Sequence, residues 1–461
     1  MCEDRDDPVA SARITLEQDK RGLFRKEIDP QKAYSLEELI DIAESNNPRT
    51  RIAWESAKQA AARLGMARSE YYPHLAALAL VGDSRVINPF PKPLAPDGFV
   101  MVNTPTVEAG LALTYTVFDF GRRGANVDAT TALQLAAQAS FRRVNQDVAF
   151  SVITAYYNLL TAQERLEASR QIVKTATTTQ EAAEAQLANG RATLPDALSA
   201  RAAAAQAVYD LEASAGAEGV ARVVLRETLG VEPSEAITIA PATSPLPAQV
   251  MASTQELVKA ASQNRSDLTA LHEKLKAADA GITRAKAEYW PTLNLQAGVG
   301  QTAIWPHASY GTLGDANKTV WGVGLTLKWE LFEGGLRKQE TLLAESKRRE
   351  VQDELHEKED AIGREVWAAY LQFRTAVRQY EAADTLFTSA NTSYDASLDA
   401  YRYGVKNLVD LVTAEQQLAQ ARLALVQSRS SLRVNAANLD YVTGNLLQSL
   451  PPVARPGAAN P

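Results

Sequence analysis

SLEELIDIAESNNPRTRIAWESAKQAAARLGMARSEYYPHLAALALVG runs from Ser35 to Gly82. A second version, STQELVKAASQNRSDLTALHEKLKAADAGITRAKAEYWPTLNLQAGVG, runs from Ser253 to Gly300. From Thr254 onward a constant offset of 218 pairs Asn46 with Asn264, Glu70 with Glu288, Tyr72 with Trp290 and Pro73 with Pro291. A second matched pair follows: VEAGLALTYTVFDFGRR, Val107 to Arg123, against VGLTLKWELFEGG, Val323 to Gly335. Here an offset of 214 pairs Gly110 with Gly324, Phe118 with Phe332 and Gly121 with Gly335. The same offset pairs Gly190 with Gly404 and Asp196 with Asp410. Shared composition does not hold proline, glycine and aromatic positions in one register over so long a stretch, so the chain is an internal duplication.

Each half reads helix, strand, loop, strand, very long helix, break, helix. Leu36 to Tyr71 has helical patterning, with Ser35 and Glu38 forming a capping-box signature. Pro73 ends it, because the residue before proline avoids helical dihedrals. Leu75, Ala77, Ala79 and Val81 then alternate as a strand, Asn88 to Pro105 reads as a loop, and Leu111, Leu113, Tyr115 and Val117 alternate again. In the second half Leu293 to Val299 and Val323 to Leu331 alternate around a loop from His307 to Asn317. Two stretches, Ala125 to Asn189 and Leu336 to Tyr403, carry almost no helix breaker. At 1.5 Å per residue each is roughly 100 Å long, which fits a coiled coil or a tunnel wall rather than a globular domain.

The strands raise an edge problem. Four strands from two hairpins do not close a barrel within one chain, and open edges are not tolerated in lipid. Three chains supply twelve strands, an even number within the barrel range. Tyr115, Trp290, Trp321 and Trp329 suit interfacial belts, and Thr114, Thr116 and Thr326 on the alternate face suit a wet lumen. A soluble hairpin on a helix bundle is the competing reading of the same pattern.

The bulk numbers exclude other classes. The formal net charge is −7 and the 48 Lys plus Arg are dispersed, without the dense basic patch that nucleic-acid binding requires. One cysteine, Cys2, excludes a disulfide within the chain, and the four histidines are scattered, so no metal site, cofactor or catalytic set is read. FEGGLRK lacks P-loop spacing. No apolar run approaches the length of a membrane helix. Met1 to Ala10 is charged and lacks the apolar core of a signal peptide, which taken alone points to the cytoplasm.

The duplicated helix–(E-Y-Y/W-P)–strand start, the endings TVFDFGRR and ELFEGGLRKQE, and the turn pair LANGRATLPDALSAR and YRYGVKNLVDLVTAEQQLAQAR resemble the TolC-like outer membrane factor family over about residues 35 to 445. The resemblance implies a mainly α fold with a β-barrel portion: a homotrimeric 12-stranded barrel in outer membrane lipid, continuous with a periplasmic α-helical barrel. It implies a passive exit duct for small molecules or secreted proteins, served by a periplasmic adaptor and an inner-membrane transporter. It divides the chain into an arm (1–34), a first repeat (35–214), a linker (215–253), a second repeat (254–446) and a tail (447–461). The linker, arm and tail are expected to form a small collar. A non-pore periplasmic or surface coiled-coil scaffold is the alternative from another class.

Carried over residue by residue, the resemblance puts the closed periplasmic tip at the two turns. Asp196 and Tyr401 belong to the network that holds it shut, Lys406 is the basic residue there, and Asp410 forms an acidic ring. Thr413 stands where some members carry a second acid. Gly190 and Gly404 allow the helix reversals. Lys406 is placed to offset repulsion among Asp410 carboxylates. A plainer role for Asp196 and Asp410, as acids in the first turns of helices, remains open. Many members are lipoproteins acylated at the first cysteine of the mature chain, which makes Cys2 a candidate lipidation site.

Overall fold

Ser35 caps its helix through a reciprocal pair: its Oγ accepts from Glu38 N (3.3 Å) and the Glu38 carboxylate accepts from Ser35 N (3.1 Å). Ser253 and Glu256 repeat the arrangement at the start of the second half. The computed structural model describes residues 26, 28–240, 246, 253–309 and 311–446. Cys2, the tail and most of the arm lie outside the described residues. The elements of the first half are β1 (Ala33–Tyr34), α1 (Leu36–Asn46), α2 (Pro48–Ser69), β2 (His74–Pro89), β3 (Phe99–Phe118), α3 (Arg122–Ala188) and α4 (Leu194–Leu229). After β4 (Thr238–Ile239) the second half gives α5 (Thr254–Asn264), α6 (Ser266–Ala287), β5 (Thr292–Ile304), β6 (His307–Ala308), β7 (Gly311–Thr312), β8 (Ala316–Lys328), α7 (Leu336–Arg402) and α8 (Leu408–Val442). None of the described helices is long and apolar enough to cross a membrane.

Three expectations are corrected. The helix read as continuous from Leu36 to Tyr71 is two helices, because Pro48 forces Asn47 into an extended conformation (ψ 128°). Asn47 then serves the break on both sides, donating to Thr228 O (2.7 Å) and accepting from Arg49 N (2.8 Å). Half of the segment read as a loop, Asn88 to Pro105, is strand, and the loop is confined to residues 90–98. Pairing runs without interruption from His74↔Thr114 to Pro89↔Phe99, and Pro105 is tolerated because β5 pairs with β3 only from Thr106 onward. β8 ends at Lys328, so Trp290 and Trp329 flank the strands, and Trp321 lies within β8 opposite Val299.

The chain forms two compact units. One comprises Ala57–Ala137 and Ala270–Leu355, and carries the sheet. Its four long strands are antiparallel in the order β2-β3-β5-β8; the short β6 pairs with the outer end of β3, and β7 with β6. The register sorts the side chains in the rows nearest the helices, before Leu78 and Val320 join the small face and Gln301 and Thr319 the apolar one. Leu75, Leu113, Ala297 and Val323 are cross-strand neighbours on one face, as are Ala77, Leu111, Val299 and Trp321. On the other face lie His74, Thr114, Gln296 and Gly324, then Ala76, Ala112, Gly298 and Gly322. An apolar face backed by a small and polar one is the alternation of a lipid-facing barrel wall. Gly110 and Gly300 oppose each other on the small face. A Cβ on Gly110 would lie 2.7 Å from Val299 O and 2.8 Å from Gly300 Cα, so the two strands approach closely there.

At the end of β3 the DFGRR motif turns the chain into α3. Phe120 (φ 51°) and Gly121 (φ 86°) are both left-handed. Asp119 Oδ2 accepts from Arg123 N (3.0 Å) and Nε (2.9 Å), and Arg123 Nη1 donates to Glu70 O (3.1 Å). Phe120 stacks on Trp290 at 5.2 Å. The second half repeats the corner with Gly334 (φ 61°) and Gly335 (φ 89°), and Arg337 Nε lies 3.0 Å from Glu333. Acid, two left-handed residues and arginine two positions later are thus the physical content of the duplicated motif.

The other unit comprises the described residues within Met1–Ser56, Gln138–Thr269 and His356–Pro461. Leu39, Ile42 and Ala43 of α1 join Val148, Val152, Ile153 and Leu159 of α3, Leu225 and Leu229 of α4, and Ile239 of β4 in one core. β4 pairs in parallel with β1, and Tyr156 Oη donates to Ala240 O (2.7 Å). The connector thus packs with the end of the arm, and α4 continues to Leu229 before it begins. The helix break in the second half has no proline. Arg265, only 1% exposed, stands there and binds Asp267 and Glu365.

Candidate functional site

The two turns that reverse the long helices are built alike. After α3, Gly190 N donates to Leu187 O (2.9 Å) and Arg191 N to Gln186 O (2.8 Å); after α7, Gly404 N donates to Tyr401 O (2.9 Å) and Val405 N to Ala400 O (2.8 Å). Both are Schellman caps, and each needs a left-handed residue, supplied by Gly190 (φ 70°) and Gly404 (φ 75°). The next helices are capped at once. Thr193 Oγ1 and Thr193 N both donate to Asp196 Oδ2 (2.6 and 2.9 Å), and Asn407 Oδ1 accepts from Asp410 N (2.9 Å).

These bonds define what each expected residue does. The hydrogen bonds from Thr193 hold the Asp196 carboxyl below its ordinary pKa, so it closes the capping box as a carboxylate. Tyr401 is 6% exposed, and its hydroxyl has no hydrogen-bond partner among the described residues. Burial raises its pKa, and the charge of Asp196 adds to the rise. Asp196 and Tyr401 are therefore brought within electrostatic reach but are not hydrogen-bonded. Lys406 Nζ donates to Ser397 Oγ on α7 (3.1 Å), not to Asp410. Asp410 is exposed, and Thr413 is exposed with its hydroxyl bonded to Val409 O (2.7 Å).

The residue that ties the turns together is Gln186, which the motif reading missed. Its Nε2 donates to the carbonyls of Arg402 (3.1 Å) and Tyr401 (3.4 Å). Nothing in the sequence marks it, beyond its place one turn before the Gly190 cap. Tyr401 shares an apolar cluster with Ala183 of α3, Ala200 of α4, Tyr394 of α7, and Leu408, Leu411 and Leu418 of α8. The two turns are thus packed and bonded to each other, with Leu194, Tyr403, Val405 and Val409 exposed.

The duplication itself decides the family. The outer membrane efflux protein model matches residues 39–231 and again 257–445, in the register of the repeat. The chain belongs to the outer membrane efflux protein family. Protein CyaE of Bordetella pertussis is 29% identical over 418 residues, 90% of this chain and 85% of that protein. Outer membrane protein OprJ of Pseudomonas aeruginosa is 25% identical over 89% of this chain and 84% of its own length. A membrane protein of known structure from Pseudomonas aeruginosa shares the fold with a TM-score of 0.76, at 24% identity, over 89% of this chain and 93% of that one. As an outer membrane efflux protein the chain is a non-catalytic outer-membrane channel for efflux or secretion, reaching into the periplasm and working in a tripartite system with an adaptor and an inner-membrane transporter. The coiled-coil scaffold reading is set aside by this match.

Proposed function

We propose that three copies of this chain form a passive duct whose periplasmic end is shut by the paired turns around Gly190 and Gly404. The observation that carries the reading is the four-stranded sheet with one apolar face and two open edges, β2 and β8. An open edge in lipid leaves backbone groups unpaired. Joining β8 of one copy to β2 of the next removes every edge and gives twelve strands. Transport energy comes from the inner-membrane transporter, which also chooses the cargo. Asp410 lines the end of the duct and favours cations there, and Cys2 remains a candidate acylation site.

The gate reading makes a measurable claim. Replacing Asp196 with Ala removes the carboxylate that closes the capping box with Thr193, which loosens the start of α4 and shifts the tip toward opening. Planar-bilayer recordings of the purified trimer should therefore show higher mean conductance for Asp196→Ala and Tyr401→Ala than for the native chain. Native conductance in both variants would place the closure elsewhere, and chemical cross-linking that stops at dimers would remove the twelve-strand barrel.

A further inference from the structure

Glu415 occupies an unusual place on α8. It is 6% exposed, and its Oε2 has no hydrogen-bond partner among the described residues. Leu411 and Leu418 lie one turn before and one turn after it, and both belong to the apolar cluster that joins α8 to α3, α4 and α7 above the tip turns. Thr179 of α3, itself buried, lies beside it. The Thr179 hydroxyl donates to Thr175 O (3.2 Å) and lies 3.5 Å from Tyr394 Oη of α7. No cation among the described residues offsets a charge on Glu415. A carboxylate so enclosed is disfavoured, whereas the neutral acid packs as a polar but uncharged side chain.

We infer that Glu415 is a proton-operated latch: protonated, it lets α8 seat against α3 and α7, and ionised, it loosens that seam just above the tip. Burial holds the Glu415 carboxyl above the ordinary carboxylate pKa, against a smaller downward pull from Thr179. The seated form, having the raised pKa, is fully stabilised below the ordinary carboxylate value and weakens as pH rises through the raised one. The groups around it do not mask this response. From α3 it meets Thr179. From α7 it meets Tyr394, whose own pKa is raised by burial and modulated by Glu415, Arg402 and Asp395. Two turns along α8 is Arg422, whose pKa burial lowers and whose guanidinium lies 6.0 Å from the Phe387 ring. Asp196 at the tip is held low by Thr193 and stays ionised through the same window.

The effect on conduction rests on the reading of the turns as the gate, but the effect on packing does not. Hydrogen exchange of the full-length trimer in detergent, read on peptides spanning Leu408 to Leu418 and corrected for intrinsic rates, tests the packing. Between pH 5 and pH 8 native protection should fall, by up to roughly tenfold for each pH unit that separates the ordinary carboxylate value from the raised one, and level off above the raised value. Glu415→Gln, and independently Glu415→Met, should keep the same protection at both pH values. Equal native protection at the two pH values, or an equal loss in Glu415→Gln, overturns the latch. Single-channel recordings then test the gate: conductance should rise with pH in the native trimer and stay flat in Glu415→Gln. Protection that shifts while conductance does not leaves the latch standing and removes the gate from the turns.

Discussion

Replacing Arg265 with methionine should lower the stability of the folded chain by about 3 kcal/mol at neutral pH, read as the denaturant midpoint of helix loss in detergent. Arg265 is 1% exposed at the break between α5 and α6. Its Nη2 lies 2.6 Å from Asp267, its Nη1 is paired with Glu365, and Nη1 also reaches Val442 O at 3.4 Å. Methionine keeps much of the apolar stem but leaves Asp267 with Lys358, 3.1 Å away, as its remaining ion-pair partner. The loss therefore falls at the low end of the range for breaking a buried pair. Its pH dependence has a definite sign. Burial alone would raise the Asp267 carboxyl, but Arg265, with help from Lys358, holds it well below the usual carboxylate range. That stabilisation is complete above the unfolded carboxylate pKa of about 4 and is lost as pH falls through the folded value. The difference between the native chain and Arg265→Met should shrink below about pH 4. An equal difference at pH 3 and pH 7 would sink the explanation.

The second large effect is expected in the sheet. Gly110→Val should cut the yield of outer-membrane trimer by roughly tenfold or more, since overpacking against unyielding backbone costs about 3 kcal/mol. The new Cβ would meet Val299 O at 2.7 Å and Gly300 Cα at 2.8 Å, and neither atom can swing away as a side-chain tip does. Gly322 lies on the same face with nothing within 4 Å of its Cβ position, so Gly322→Val is the matched control and should assemble. Heat-modifiable trimer bands on gels of membrane fractions give the readout. Normal trimer from Gly110→Val would mean that the β3–β5 approach is not required for closure.

Arg265 and Gly110 share a property that the repeat hides. Each belongs to a duplicated motif, yet its partner in the other half does something different. Asn47 corresponds to Arg265 at the helix break but bonds the Thr228 carbonyl instead of a buried carboxylate. Gly324 corresponds to Gly110 but has open space where a Cβ would stand. The tip behaves the same way. Asp196 closes a capping box with Thr193, whereas Asp410 has only its backbone bonded to Asn407. Motif register predicts where a residue stands; its neighbours decide what it does.

From its own sequence this protein could be read as two copies of helix, strand pair and long helix, reversed at Gly190 and Gly404. Those features are local. Apolar alternation, a capping serine, a proline after a helix and a glycine in a left-handed turn each act within a few residues. Only the tertiary structure revealed that β3 pairs with β5 and so joins the two hairpins, that Gln186 bridges the turns, and that Arg265 and Glu415 are enclosed. Each of these contacts links segments about a hundred residues or more apart, or depends on a burial that three or four helices create together. No periodicity within one segment encodes which distant segment will cover it, because that is settled by the total packing of the chain.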